Sequence, residues 1–171
     1  MEKNTAPGKR RRMMDPAVRR WIYGLMCVIV MLMIFLFSSM TGEGSNGITM
    51  KIARRLVESV YPNYPNLSAQ GRRGALLLMH HLVRKSGHMT EYLLLSVFVY
   101  LFVEVAGRRF PALYSVTFSA LYAMTDEWHQ SFVSQRSPLW SDVLIDTCGA
   151  ALGALIAFVI LLMLRHRRAE N

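Results

Sequence analysis

An apolar segment of this chain ends in polar and acidic side chains. The stretch YAMTDEWHQSF, residues 122–132, places Asp126, Glu127, His129 and Gln130 directly after a run of mostly apolar residues. Carboxylates beside a histidine can transfer protons or hold a cation, but both tasks need side chains that converge in space. The chemistry of this segment therefore depends on what else the fold brings to the same place.

Two other apolar segments begin with polar residues of the same kinds. These residues are Lys85, His88, Glu91 and Tyr92 in one segment, and Asp142 and Asp146 in the other. The loop between the segment that ends at residue 132 and the segment that begins with Asp142 carries Arg136, the nearest obvious counter-charge for the acids. If the ends of the three segments meet, a histidine, several carboxylates and an arginine form one polar site.

The elements that must position these residues have the length of membrane-spanning helices. Apolar residues make up 53% of the 171 residues, and residues 21–40 contain no charge. About 20 apolar residues suffice to cross a hydrocarbon core of ~30 Å, and a single strand in lipid would leave its backbone groups unpaired. The predicted fold is an all-α bundle of four transmembrane helices at about residues 21–40, 88–106, 110–132 and 142–164.

Basic residues set the predicted orientation. Seven Lys or Arg lie in residues 1–20, two in the turn 107–110 and three in the tail 165–171. Positive charge flanks membrane spans on the cytoplasmic side, so both basic termini are predicted to be cytoplasmic and the connection 41–87 external. This arrangement accounts for the net charge of +9 without a nucleic-acid partner.

The external connection also contains basic residues, which oppose this orientation. Within it, ITMKIARRLVESV repeats Ile48, Ile52, Leu56 and Val60 every four residues, with charges between them. This pattern is typical of an amphipathic helix that lies on lipid headgroups, where arginines can meet phosphates. We therefore predict an interfacial helix between spans one and two.

Helical spacing predicts that the acids face the bundle. Asp142, Asp146, Gly149 and Gly153 follow i, i+4, i+7 and i+11, so they share one face, and the glycines allow a neighbouring helix to approach closely. Asp146 and Glu91 lie a turn or more inside their spans, where an unpaired carboxylate costs about 3 kcal/mol. The predicted topology places these acids at the outer side, in one outward-facing pocket.

A simpler interpretation is favoured for some of the charged residues. Glu104, Glu127 and His129 lie at helix ends, where a charge can mark the membrane boundary and do nothing else. From the residues alone, that interpretation is preferred for these three, whereas Glu91, Asp126 and Asp146 are expected to have a function.

Three stretches of the sequence resemble the VanZ-like family of bacterial membrane proteins. They are FLFSSMTGEGSN at 35–46, RKSGHMTEYLLL at 84–95 and LYAMTDEWHQSFVSQRSPLWSDVLIDTCGAALG at 121–153, and together they cover about half of the chain. The family pattern falls on Arg84, Lys85, His88, Glu91, Tyr92, Asp126, Glu127, Gln130, Phe132, Arg136, Asp142, Asp146, Gly149 and Gly153. The loop departs from it, with SQR where members often carry PGR.

The resemblance implies a multi-pass protein of the bacterial plasma membrane, in a family associated with resistance to teicoplanin-type glycopeptide antibiotics. The candidate catalytic residues are His88, Glu91, Asp126, Asp142 and Asp146. The candidate substrate-binding residues are Lys85, Tyr92, Glu127, Gln130 and Arg136. Gly149 and Gly153 are expected to pack helices, and the resemblance assigns no metal or cofactor.

Three mechanisms remain open at this point. An enzyme could act on a phosphate-bearing envelope lipid, with Arg136 and Lys85 on phosphate oxygens and the acids relaying protons or holding a divalent cation. A phosphatase-like version rests on SGH at 86–88, but Asp142 stands where such enzymes carry a nucleophilic histidine.

The other two mechanisms involve no reaction on a lipid. A binder could capture an antibiotic, a lipid-linked precursor or a cation at the same pocket. A proton- or ion-coupled transporter would use the intramembrane acids, and would need a homo-oligomer because four helices leave a narrow path. Membrane lipids are expected partners in every case.

Overall fold

The computed structural model describes residues 14–40, 42–134 and 139–170, with the backbone alone for 42–46. Within these residues the regular structure is entirely helical, so the predicted all-α class is confirmed. The elements are α1 (Pro16–Ser39), α2 (Gly42–Val60), a 3₁₀ turn (Tyr64–Asn66), α3 (Ala69–Val105), α4 (Pro111–Gln130) and α5 (Trp140–Ala169).

Capping residues fix where two of these helices begin, and a glycine allows the chain to turn back after α3. The Asp15 side chain caps α1 by accepting a hydrogen bond from the Ala17 N–H at 2.8 Å, and Pro16 follows as the first helical residue. Ser68 caps α3 in the same way, from the Gly71 N–H at 3.2 Å. Gly107, with φ 69°, adopts the left-handed conformation that lets the chain turn back after α3.

Among the helices of the described residues, three are long and apolar enough to cross a membrane, judged by length and composition: α1, α3 and α5. The helix at the position of the third predicted span, α4, is not among them. Its 20 residues are long enough, but polar side chains interrupt its apolar residues. The structure therefore supports three of the four predicted spans on this measure.

The side chains of α4 are arranged in the opposite way from those of a surface helix in a water-soluble protein. Its buried side chains are mostly polar, and its large apolar side chains face outward. The buried residues are Ser115, Ser119, Ala123, Asp126, Glu127 and Gln130. The exposed apolar residues are Leu113, Tyr114, Phe118, Leu121, Met124 and Trp128.

The helix that carries the second span is longer than predicted. The span was expected from residue 88, whereas α3 begins at Ala69 and runs for 37 residues, or about 55 Å. Because ~30 Å suffices to cross a hydrocarbon core, α3 is longer than a single crossing requires.

The first part of α3, before residue 88, is the surface on which α2 packs. Ala53 and Val57 are buried, and Thr49 Oγ1 lies 2.7 Å from His80 Nε2. The opposite stripe of α2 is exposed, and its residues are Ile48, Ile52, Leu56 and Val60. The amphipathic helix is therefore present, and its contact with lipid stays a prediction.

Pairwise packing places the basic helix ends together. The Arg20 guanidinium lies 5.9 Å from the ring centre of Phe102, and Arg165 forms an ion pair with Glu104. These contacts gather the start of α1, the end of α3 and the end of α5 at one end of the bundle. Glu104 thus pairs with a base at the basic end and lies away from the other acids.

Candidate functional site

The site is built around a close contact between α3 and α5. A Cβ atom on Gly149 would fall on the carbonyl oxygen of Met89, and one on Gly153 would fall on that of Leu93. Only glycine fits at these two positions, because a side chain there would push the helix backbones apart. The same face of α5 continues toward its start as Asp146 and Asp142, which this contact holds against α3.

Lys85 links the start of α5 to α3. Its ammonium forms an ion pair with Asp142, and the two side chains are 13% and 8% exposed. His88 and Glu91 follow one and two turns later on α3, both partly buried, and Tyr92 is fully buried. Lys85 was predicted to contact substrate, but in the structure a protein carboxylate engages its ammonium.

The end of α4 supplies two more acids. Asp126 accepts a hydrogen bond from the Gln130 side-chain amide at 2.9 Å, and all three of Asp126, Glu127 and Gln130 are buried. Glu127 accepts a hydrogen bond from the backbone N–H of Leu139 at 2.9 Å, immediately before α5. Glu127 is thus a buried group that joins α4 to α5, and not the boundary charge that the residues alone favoured.

The acids lie close to one another around Asp146. The charges of Asp126, Glu127, Asp142 and Glu91 all act on the Asp146 carboxyl group, which is 0% exposed. Within the described part of the chain, neither Asp146 carboxylate oxygen nor the hydroxyl of Tyr92 has a hydrogen-bond partner. A buried carboxylate in this position needs a proton or a cation to be stable, because both the lost hydration and the neighbouring charges oppose ionisation.

Most of the predicted site residues are therefore neighbours at one end of the bundle. They are Lys85, His88, Glu91, Tyr92, Asp126, Glu127, Gln130, Asp142 and Asp146. Arg136 lies outside the described residues. Among the residues that are described, no group of three or more His, Cys, Asp or Glu side chains is placed to hold a metal ion.

Contacts from α1 also reach this end of the bundle, and the sequence did not predict them. The Tyr122 hydroxyl donates a hydrogen bond to the Met31 carbonyl at 2.8 Å, and Ser39 Oγ lies 3.1 Å from His129 Nε2. His129, like Glu127, thus makes a specific contact. The sequence contains only a weak indication that α1 contacts the bundle: Val30, Ile34 and Ser38 recur every four residues and form the buried face of α1.

Comparison with known proteins gives one result. The model of the VanZ/LLP1 family matches residues 23–162, a range that includes every site residue described above. No curated protein and no solved structure matches the chain. The match covers most of the sequence, and the chain belongs to the VanZ/LLP1 family.

Proposed function

We propose that the protein spans the bacterial cell membrane four times, with α4 as the additional span and both termini in the cytoplasm. The outward-facing apolar side chains of α4 support this proposal, because they would contact lipid while its polar face is enclosed by α3 and α5. The positive charge at the ends of α1, α3 and α5 matches the cytoplasmic bias of membrane proteins. The acidic site then opens to the outer side.

At that site we infer that the protein binds a molecule of the cell envelope, either a lipid, a lipid-linked precursor or a glycopeptide antibiotic. The observation that carries this inference is Asp146, fully buried without a hydrogen-bond partner among the described residues and surrounded by other acids. A positively charged group on a ligand would complete this site, since charge pairing is strongest where water is excluded.

Binding accounts for the geometry better than hydrolysis of a lipid phosphate does. Asp142 occupies the position of a nucleophile in the phosphatase-like scheme, but it is engaged by Lys85. That ion pair also occupies Lys85, a residue that was expected to contact a phosphate. The excess of carboxylates would repel an anion unless a cation bridged them.

A proton- or ion-coupled transporter is the second candidate. The burial of Asp126, Glu127 and Asp146 favours it, because acids enclosed between membrane helices are suited to gaining and losing protons. Proton uptake by proteoliposomes distinguishes the two: a transporter acidifies the lumen under a substrate or ion gradient, and a binder does not.

Asp146→Asn tests the binding function in cells, in a strain where the wild-type protein alters teicoplanin susceptibility. The variant is nearly isosteric but cannot carry the negative charge, so we expect the effect on susceptibility to disappear while membrane abundance is retained. Glu170→Gln, which removes an exposed acid from the end of α5, is the matched control and should behave as wild type. A wild-type response from Asp146→Asn would refute the role of this site.

A lipid and peptidoglycan-precursor profile of the same cells separates binding from catalysis. A binder changes the amount of antibiotic that cells retain and produces no new metabolite. A converted lipid or precursor that depends on Asp146 would instead assign the site to an enzyme.

A further inference from the structure

A cleft of about 400 Å³ opens between the ends of α1 and α4, beside the acidic site. Aromatic rings form most of its lining, and Asp126 contributes a carboxylate. The rings are those of Phe35, Tyr122, Trp128, His129 and Phe132. No feature of the proposed function uses these five rings, so the cleft needs its own explanation.

Contacts between the rings hold the cleft in shape. The ring centres of Phe35 of α1 and His129 of α4 lie 4.9 Å apart with the ring planes tilted by 32°, and Trp128 meets Phe132 edge-to-face at 5.6 Å. The hydrogen bond from Tyr122 to the Met31 carbonyl fastens α4 to α1 beside them. The rings are therefore positioned before any ligand arrives, which lowers the entropic cost of binding.

The combination of aromatic faces and a carboxylate is suited to a positively charged ligand. The face of an aromatic ring attracts cations, and sites for alkylated ammonium groups are built from such rings. Asp126 is buried and accepts a hydrogen bond from Gln130, which fixes its carboxylate at the cleft. The buried acids near it, Glu127 and Asp146, bring no positive charge that would favour an anionic ligand.

A second, almost wholly apolar groove of about 370 Å³ lies farther along the same two helices. It includes Val28 of α1 and Phe118 of α4, with α3 behind them. The Tyr122–Met31 hydrogen bond lies between the two spaces, because Tyr122 lines the cleft and Met31 lines the groove. A molecule with its polar head in the cleft would pass this bond to place its alkyl chain in the groove.

We propose that the cleft binds the ammonium group of an amphiphile, with Asp126 as its counter-charge and its alkyl chain along the apolar groove. The aromatic rings surround the alkylated nitrogen, and Trp128 and Phe132, both largely exposed, stand at the entrance. This inference rests on the proposed function, since Asp126 belongs to both sites, and it names the chemical class of the ligand.

Quenching of Trp128 fluorescence tests the proposal on purified protein in phosphatidylglycerol nanodiscs. The chain has three tryptophans, so Trp21→Phe and Trp140→Phe leave Trp128 as the reporter. The probe is an alkyltrimethylammonium amphiphile brominated near its head group, and the comparison is a bromoalkyl amphiphile of equal length with a sugar head. We expect saturable quenching by the cationic probe and only weak, non-saturating quenching by the sugar-headed one.

Two substitutions in this background locate the site. Asp126→Asn removes the counter-charge, and Phe35→Leu removes a ring; each should weaken the affinity for the probe by about tenfold. Phe158→Leu on α5 is the matched control, since Phe158 and Phe35 are 49% and 47% exposed, and it should leave affinity unchanged. Equal quenching by both amphiphiles, or unchanged affinity in Phe35→Leu, would overturn the proposal.

A second membrane composition distinguishes a lipid head group from a free amphiphile as the source of the ammonium group. If a lipid head group is the natural ligand, phosphatidylethanolamine in the nanodisc should compete and lower the affinity for the probe. Unchanged affinity would assign the site to a free amphiphile that enters from outside. A further outcome is that the probe shows no saturable binding while Asp146→Asn still abolishes the effect on susceptibility. That combination would refute the cleft as an ammonium site and leave the proposed function standing.

Discussion

Single residues at the acidic end combine two opposite situations. Asp142 has a basic partner in Lys85, whereas Asp146, one turn farther into the bundle, has no hydrogen-bond partner among the described residues. The first arrangement stabilises the fold, because both charges are compensated. The second needs a proton or a positively charged group, because a buried carboxylate without a partner is costly. We therefore propose a structural role for Asp142 and a binding role for Asp146, on the same helix face.

Replacing Lys85 by methionine tests the structural half of this division. Lys85→Met leaves Asp142 buried and unpaired, so we expect a loss of about 3 kcal/mol of unfolding free energy in detergent micelles. Lys51→Met, at an exposed position on α2, removes the same charge and should change stability by less than about 0.5 kcal/mol. The double variant Lys85→Met with Asp142→Leu should recover most of the loss. Unaltered stability in Lys85→Met would show that the pair is not formed.

At the scale of the helix, α5 approaches α3 so closely that glycine is required. Gly149→Ala forces a Cβ atom onto the Met89 carbonyl oxygen, and the resulting helix displacement should cost about 1–3 kcal/mol of unfolding free energy. Gly74→Ala is the matched control, because Gly74 also lies inside an α-helix but a Cβ there meets nothing within 4 Å. It should instead stabilise α3 by about 0.5–1 kcal/mol. Thermal unfolding that ranks the two variants the other way would contradict this packing.

The helices show which features sequence patterns could predict. Periodicity identified the buried face of α5, since Asp142, Asp146, Gly149 and Gly153 all lie on it. It did not predict the full length of α3, because apolarity detects the part of a helix that crosses lipid and not its extension beyond. The mean hydropathy of α4 is lowered by its polar residues, which lie on its buried face. The contacts of His129 and Tyr122 with α1 depend on tertiary packing, which spacing within one helix cannot specify.

Buried acids mark one end of the molecule. Among the described residues they lie where α4 ends and α5 starts, whereas bases lie at both ends: where α1 starts and α3 and α5 end, and on α2 and the first part of α3. If the end where α1 starts faces the cytoplasm, the acids and the aromatic cleft face the medium, where envelope precursors and antibiotics are met. The proposed function thus depends on the orientation of the bundle.

Cysteine labelling of intact cells measures that orientation directly. With Cys27 and Cys148 replaced by alanine, Ser141→Cys lies at the start of α5 beside Asp142, and Arg168→Cys lies in its last turn. We predict that a membrane-impermeant maleimide labels position 141 in intact cells and position 168 only after the membrane is permeabilised. Labelling of position 168 but not 141 in intact cells would place the acidic site in the cytoplasm and contradict an outward-facing site.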